Sequence, residues 1–259
     1  EPLYTSIHSW LLKDEVHEVI VVDWSSEKPL DNLTKFDSRI KVIRVDGEKY
    51  FNMPEPLNLA ASVATGDTVM TMATDYFFNP YPEYNFFDIY PIDDNSFVCG
   101  FSNEDEFISG TPTFKFLRGI LHVKREHFLK VGGYRNNETG HYGYEDDELV
   151  ERLIKLGLTP KQISQNYTMI HIPHTDKKRL ENFKAYEENV SLTEKTREEL
   201  SEKYSGDTLE YQTEYILSLR HIYVSNQYYK DNPIDVSVPT EWDIDSINDQ
   251  LYFAKRKDT

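Results

Sequence analysis

The chain has 259 residues, enough for one large domain, or a domain with an appendage, built around a sizeable core. Its single cysteine, Cys99, has no internal partner, so the fold must stand on packing alone. A formal net charge of -17 argues against a protein that grips nucleic acid, which needs a basic face, and against one that docks on anionic membranes.

No apolar run is long enough to cross a bilayer and nothing at the start reads as a secretion signal, so the expectation is a cytoplasmic chain without a transmembrane segment. In chain order, SIHSWLLKD reads as a helix. EVIVVD at 18–23 follows as a nearly continuous apolar run of the kind buried on both faces of a parallel sheet. RIKVIRV at 39–45 is a second strand. Pro54 then opens a small helix in which Leu57, Ala60, Ala61 and Ala64 recur at helical spacing, with Gly66 placed to end it. TVMTMA at 68–73 is a third strand.

Strands separated by helix-length segments imply βαβ crossovers and an open, mostly parallel α/β sheet flanked by helices. The strands at 18–23, 40–45 and 68–73 are expected in one sheet. Ligands bind beyond the carboxyl ends of such strands, which puts Asp23 and Asp75 on one edge. The section 77–118 is rich in Tyr, Phe, Pro, Asp and Asn and is irregular apart from the strand FVCGF. GILHVKREHFLKVGGYRNN is a strand and a short helix ended by Gly132 and Gly133. A helix over Glu145–Leu156 follows, with Leu149, Leu153 and Leu156 on one face. Residues 1–176 form the main domain in this reading. Residues 177–259 form a helical carboxyl-terminal extension, with helices over roughly 177–204 and 207–230.

The stretch GHYGYEDDELVERLIKLG at 140–157 carries the most chemistry. Glu145, Asp146 and Asp147 open an amphipathic helix whose positive dipole end favours the ionised form a general base needs. An acidic first turn is also common in helices with no such role. Here it is preceded by Tyr142-Gly143-Tyr144, a loop whose aromatic faces cover a sugar ring and whose glycine permits close approach.

At these residues the chain resembles the β-1,4-galactosyltransferases and the related galactosyltransferase-like and chondroitin-polymerase domains of the GT-A fold. Their pattern is a glycine and strand, a helix, a glycine-rich turn and then W-G-W/G-G-E-D-D. It appears here as RGILHVKREHFLKVGGYRNNETGHYGYEDDEL, with Tyr142 where the family often has tryptophan. The resemblance implies that Asp146 is the general base and that Glu145 and Asp147 hold or organise the acceptor. It also makes Tyr142, Gly143 and Tyr144 the acceptor loop and puts Gly119 among the nucleotide-sugar residues. KYFNMPEPLNLAASVATGD at 49–67 is similar to the family's F-N-R-A-K-L-L-N segment, which carries Phe51, Asn52 and Asn58 over as nucleotide-sugar contacts. Met53 stands where the arginine would be.

The family's central strand ends in D-x-D, where carboxylates hold a divalent ion against the diphosphate. The chain has Ala73-Thr74-Asp75, retaining the second acid alone. NYTMIHIPHTDKKR at 166–179 resembles a late segment whose histidine is a further metal ligand. Alignment on Met-Ile selects His171, whereas alignment on Asp-Lys-Lys selects His174. Asp23, in VVDWSS, resembles the strand-end acid that recognises uracil. The resemblance spans about residues 5–180. It implies inverting transfer of a hexose or N-acetylhexosamine from a UDP-sugar to a glycan or other hydroxyl acceptor, with manganese or magnesium as cofactor. Two rival readings are a GT-A-like domain that binds glycans or partners without turnover, suggested by Ala73 and Met53, and a metal-dependent hydrolase.

Overall fold

In a computed structural model of the chain, residues 2–100, 119–135, 145–163, 168–172 and 241–257 are described. The first helix, α1 (Pro2–Leu11), leads into β1 (Val19–Trp24), which pairs in parallel with β2 (Ile40–Val45) in a register that sets Val21 opposite Val42. Isoleucine and valine, stiff at χ1, dominate both strands and suit the pleated surface. After α2 (Pro54–Val63), with proline in its first turn, come β3 (Thr68–Thr71) and β4 (Tyr76–Phe78). The short α3 (Phe86–Ile89) precedes β5 (Ser96–Cys99). β6 (Leu121–Lys124) runs directly into α4 (Arg125–Lys130), and α5 (Glu145–Lys155) leads to β7 (Thr159–Gln162) and β8 (Met169–His171).

The α/β character is as expected, but the single sheet is divided. β1 and β2 belong to one four-stranded sheet, whereas β3 pairs antiparallel with β6 in another, of order β3-β6-β5-β7. Only the β5–β7 pairing is parallel in that second sheet. The outer edges of β1 and β3 line a common cleft of about 430 Å3, with Ile20 on one wall and Met70 and Met72 on the other. The third strand is also shorter than its apolar run, ending at Thr71.

The reading of the last residues as helical extension is overturned for 242–256, and the expected boundary at 176 does not hold for them. β9 (Trp242–Ser246) and β10 (Leu251–Arg256) form an antiparallel hairpin, and β10 pairs in parallel with β2, completing the order β1-β2-β10-β9. The amide of Gln250 donates to the carbonyls of Thr34, Asp37 and Ile40 and fixes the docking. The stretches 177–204 and 207–230 lie outside the described residues.

α2 lies between the two sheets. Leu59 packs with Ile43, Val45 and Ala254, while Ala61 joins Val69, Leu121, Val123, Leu149 and Leu153 on the other side. Its buried positions are therefore not the single stripe of Leu57, Ala60, Ala61 and Ala64. Leu59 is 1 % exposed and Leu57 only partly covered.

α5 sets Leu149 and Leu153 into the second core, as its periodicity predicts. A buried ion pair holds it there. Arg152 meets Glu148 through Nε–Oε1 at 2.7 Å and Nη2–Oε2 at 2.6 Å, and also donates to the carbonyl of Val131, just past α4. Removing one partner of such a pair strands a buried charge and costs about 3–5 kcal/mol, whereas exchanging both for apolar groups is often neutral. Glu148→Ala is expected to lower the unfolding free energy in urea titration by about 3 kcal/mol. Glu148→Leu combined with Arg152→Met is expected to recover most of that loss.

Candidate functional site

Three elements converge at the amino end of α5. Glu145 is buried and Asp146 half-buried at the first turn of this 11-residue helix, where the dipole favours negative charge. Gly119, just before β6, has φ +85, a conformation that favours glycine, and a Cβ there would lie 3.7 Å from Asp146 Oδ2. Tyr134 closes the third side. Its hydroxyl shares a 3.0 Å hydrogen bond with Thr71 Oγ1 at the end of β3 and lies close enough to the Asp146 carboxylate for that charge to act on it. Burial, followed by the negative charge of Asp146, pushes the Tyr134 phenol well above its usual range, so it stays protonated and able to donate.

Asn58 grips Tyr134 by its backbone. Asn58 Nδ2 donates to the Tyr134 carbonyl at 2.7 Å, and Tyr134 N donates to Asn58 Oδ1 at 2.8 Å. The side chain assigned to the nucleotide sugar thus works, in this structure, as a clamp beneath the acid site. Gly133 makes the grip possible. Its φ is +67, and a Cβ there would stand 2.2 Å from Asn58 Oδ1.

The metal pair is half visible. β4 and β8 pair antiparallel with Tyr76 opposite His171, and Ile172 N donates to the Asp75 carbonyl at 2.7 Å. The backbones of Asp75 and His171 are therefore cross-strand neighbours, although they are distant in sequence. Of the expected ligands only the Asp75 side chain is described, and a carboxylate is a donor that suits manganese or magnesium. His174 and the side chain of His171 lie outside the described residues. Among the described residues no three His, Cys, Asp or Glu side chains gather into a metal-binding group.

Asp23 sits at the carboxyl end of β1, as its position implies, but is 1 % exposed. It accepts from Ser26 N at 3.1 Å, Leu30 N at 2.9 Å and Arg44 Nη1 at 2.8 Å. Burial alone would raise this carboxyl. The hydrogen bonds from Ser26, Leu30 and Arg44 outweigh it and hold the group below its ordinary value. Its visible work is to fold the loop after β1, and the structure gives it no open face for a uracil edge. Phe51 is partly exposed on the loop before α2, and Asn52 donates to Glu55 Oε1 at 3.1 Å. Arg256 of β10 reaches the same buried Glu55 at 2.6 Å and Glu48 at 2.7 Å, with its guanidinium 5.3 Å from the Trp242 ring centre. Tyr142, Gly143, Tyr144 and the side chain of Asp147 lie outside the described residues.

Sequence reasoning missed Thr71, Tyr134 and Arg256. For Tyr134 one signal was present: a polar aromatic directly after Gly132-Gly133 and shortly before the acidic cluster.

Residues 100–175 match the family described as the N-terminal domain of galactosyltransferase. Over 139 residues the chain is 28% identical to β-1,4-galactosyltransferase 1 of Mus musculus, covering 51% of this chain and 32% of that protein. Over 145 residues it is 30% identical to β-1,4-galactosyltransferase 4 of Mus musculus, covering 52% and 40% respectively. The chain thus spans well under half the length of these relatives. Among solved structures it is similar to a mutant Drosophila β-1,4-galactosyltransferase 7 in complex with manganese, UDP-Gal and xylobiose. That likeness has a TM-score of 0.51 and 15% identity over 94% of this chain and 95% of the other. The fold is that of the GT-A glycosyltransferases, and the likeness to galactosyltransferases lies in residues 100–175.

Two outcomes test the geometry. Gly133→Ala must leave its left-handed conformation or displace Asn58, and is expected to destabilise the protein by more than about 1 kcal/mol, measured in urea. Asp23 has a lowered folded-state value, so its stabilising contribution is complete above its ordinary 3.8 and is lost as pH falls below that through the lowered value. Asp23→Asn is expected to flatten the pH dependence of stability in that acid window, read from melting temperatures across pH.

Proposed function

We propose that the chain is an inverting glycosyltransferase that moves a hexose or N-acetylhexosamine from a UDP-sugar to a glycan or other hydroxyl acceptor, with Asp146 as general base. The observation that supports it most is the placement of Glu145 and Asp146 at the amino end of α5, against Gly119 and Tyr134, inside the segment similar to galactosyltransferases. A base must be ionised and within reach of the proton it removes, and a helix amino terminus at a sheet edge supplies both conditions.

In this mechanism the acceptor hydroxyl oxygen bonds the anomeric carbon as the bond from that carbon to the UDP oxygen breaks, which inverts the configuration. Asp146 takes the hydroxyl proton in the same step. Glu145 and Asp147 orient the acceptor, and Tyr142, Gly143 and Tyr144 cover its ring. On the donor side Phe51 and Asn52 hold the nucleoside. Asp23 and Asn58 shape the loops around it through the bonds described above, and Gly119 lets the donor approach the backbone. Asp75, with His171 or His174, would hold manganese or magnesium, whose charge stabilises the departing diphosphate.

A second reading has specific residues behind it. Ala73 replaces the first acid of D-x-D and Met53 the diphosphate-facing arginine, which favours a domain that binds sugars or partners without turnover. Incubation with a panel of UDP-hexoses and UDP-N-acetylhexosamines, with and without manganese and acceptor, separates the readings. Transfer supports the proposal, and absence of any turnover supports the binding domain. Sugar release that needs no acceptor indicates a hydrolase. With an active donor in hand, Asp146→Asn is expected to lower turnover by at least ~100-fold while UDP binding changes little, since the substitution keeps the shape and removes the proton acceptor. Wild-type transfer by that variant would move the base to Glu145 or Asp147.

A further inference from the structure

Tyr134 is 1 % exposed and belongs to a cluster otherwise built from Ala61, Val69, Phe97, Leu121, Phe128, Leu153 and similar apolar groups. Phenylalanine would fill that space. A buried hydroxyl there costs free energy unless it is hydrogen-bonded, so its partners show what it is for. Its hydrogen-bond partner is Thr71 Oγ1, at the end of β3, and the group whose charge bears on it most is the carboxylate of Asp146, at the start of α5. The backbone of the same residue is fixed by the two hydrogen bonds with Asn58, and its ring packs edge-on against Phe128 at 5.9 Å between centroids. Every rotatable part of Tyr134 is thereby restrained, and its hydroxyl is a fixed point.

We propose that Tyr134 is a positioning residue for the reaction, its hydroxyl holding the Asp146 carboxylate in one orientation and in its ionised form. The inference rests on the reading of Asp146 as general base. In this arrangement the phenol directs its proton to Asp146, which makes Thr71 the donor in the 3.0 Å bond between the two hydroxyls. Among the described residues, the charged groups that bear on the phenol are Asp146 and, after it, Glu145 on α5; Arg135 follows Tyr134 in sequence. A hydrogen bond to the charged form of a carboxyl favours that form. Burial and the neighbouring negative charge keep the phenol protonated, so the donor persists throughout the working pH range.

The test compares the full 259-residue chain with its Tyr134→Phe variant by carbon NMR titration of aspartate carboxyls, the Asp146 signal being assigned by its loss in Asp146→Asn. Steady-state kinetics across pH run alongside. In Tyr134→Phe the Asp146 carboxyl is expected to titrate at higher pH than in the wild type. The acid limb of kcat/KM should move in the same direction, and the plateau should fall about 10-fold or more, as when a catalytic group loses its orientation. KM for the UDP-sugar should change little. Thr71→Val, which leaves the phenol in place but removes its donor, should move both readouts the same way by less, and it serves if Tyr134→Phe folds poorly. An Asp146 signal that titrates identically in wild type and both variants overturns the proposal, as does an unmoved acid limb. Full transfer by Asp146→Asn would remove the base assignment while leaving any titration difference intact, so the two failures are distinguishable.

Discussion

Arg152 binds Glu148 within its own helix and the carbonyl of Val131 in the turn after α4, and all three groups are buried. That contact fixes the helix carrying the acids to the turn carrying Tyr134. Desolvating a guanidinium and a carboxylate is costly, and the bidentate geometry with a third acceptor offsets the cost only in one arrangement. A shift of α5 along its axis, or of the Gly132-Gly133 turn beneath it, would leave a charge without its partner in an apolar surrounding. The placement of Asp146 relative to Tyr134 follows from that constraint, since Asp146 lies in α5 and Tyr134 ends the turn that begins at Val131.

Much of this architecture was legible in the residues. The Ile- and Val-rich runs gave β1 and β2, the proline at 54 the start of α2, and the spacing of Leu149 and Leu153 the buried face of α5. Periodicity reports which face of an element is apolar, and these faces are wide and regular. What it does not report is which partner an element meets. The division of the sheet arises because β6 takes β3 as an antiparallel neighbour, and nothing local to TVMT specifies that choice. The hairpin at 242–256 was overlooked because a highly charged sequence precedes it, although Trp242 and Ile244 alternate with Asp243 and Asp245 just before the turn at Asn248.

The site divides in the same way. Acids at a helix amino end can be read from sequence, because the helix and its first turn are local. Tyr134 and Asn58 act through contacts across 76 residues, and Thr71 and Tyr134 meet across 63. Such contacts have no sequence signature. Asp23 shows the converse: a strand-end aspartate looks poised for a ligand, yet here backbone amides and Arg44 occupy both of its oxygens.

The docking of β10 on β2 has a consequence for the order of events during folding. Gln250 and Ile40, joined by a 2.9 Å hydrogen bond, are 210 residues apart, so the first sheet closes only across nearly the whole chain. Contacts of such long range bear the full loop-closure entropy before returning any interaction energy, and they slow folding accordingly. The second sheet, assembled from β3, β5, β6 and β7 within about a hundred residues, has no such delay. During synthesis, β2 emerges from the ribosome long before its partner and must wait with one flank unpaired. The first sheet is therefore the later of the two to close.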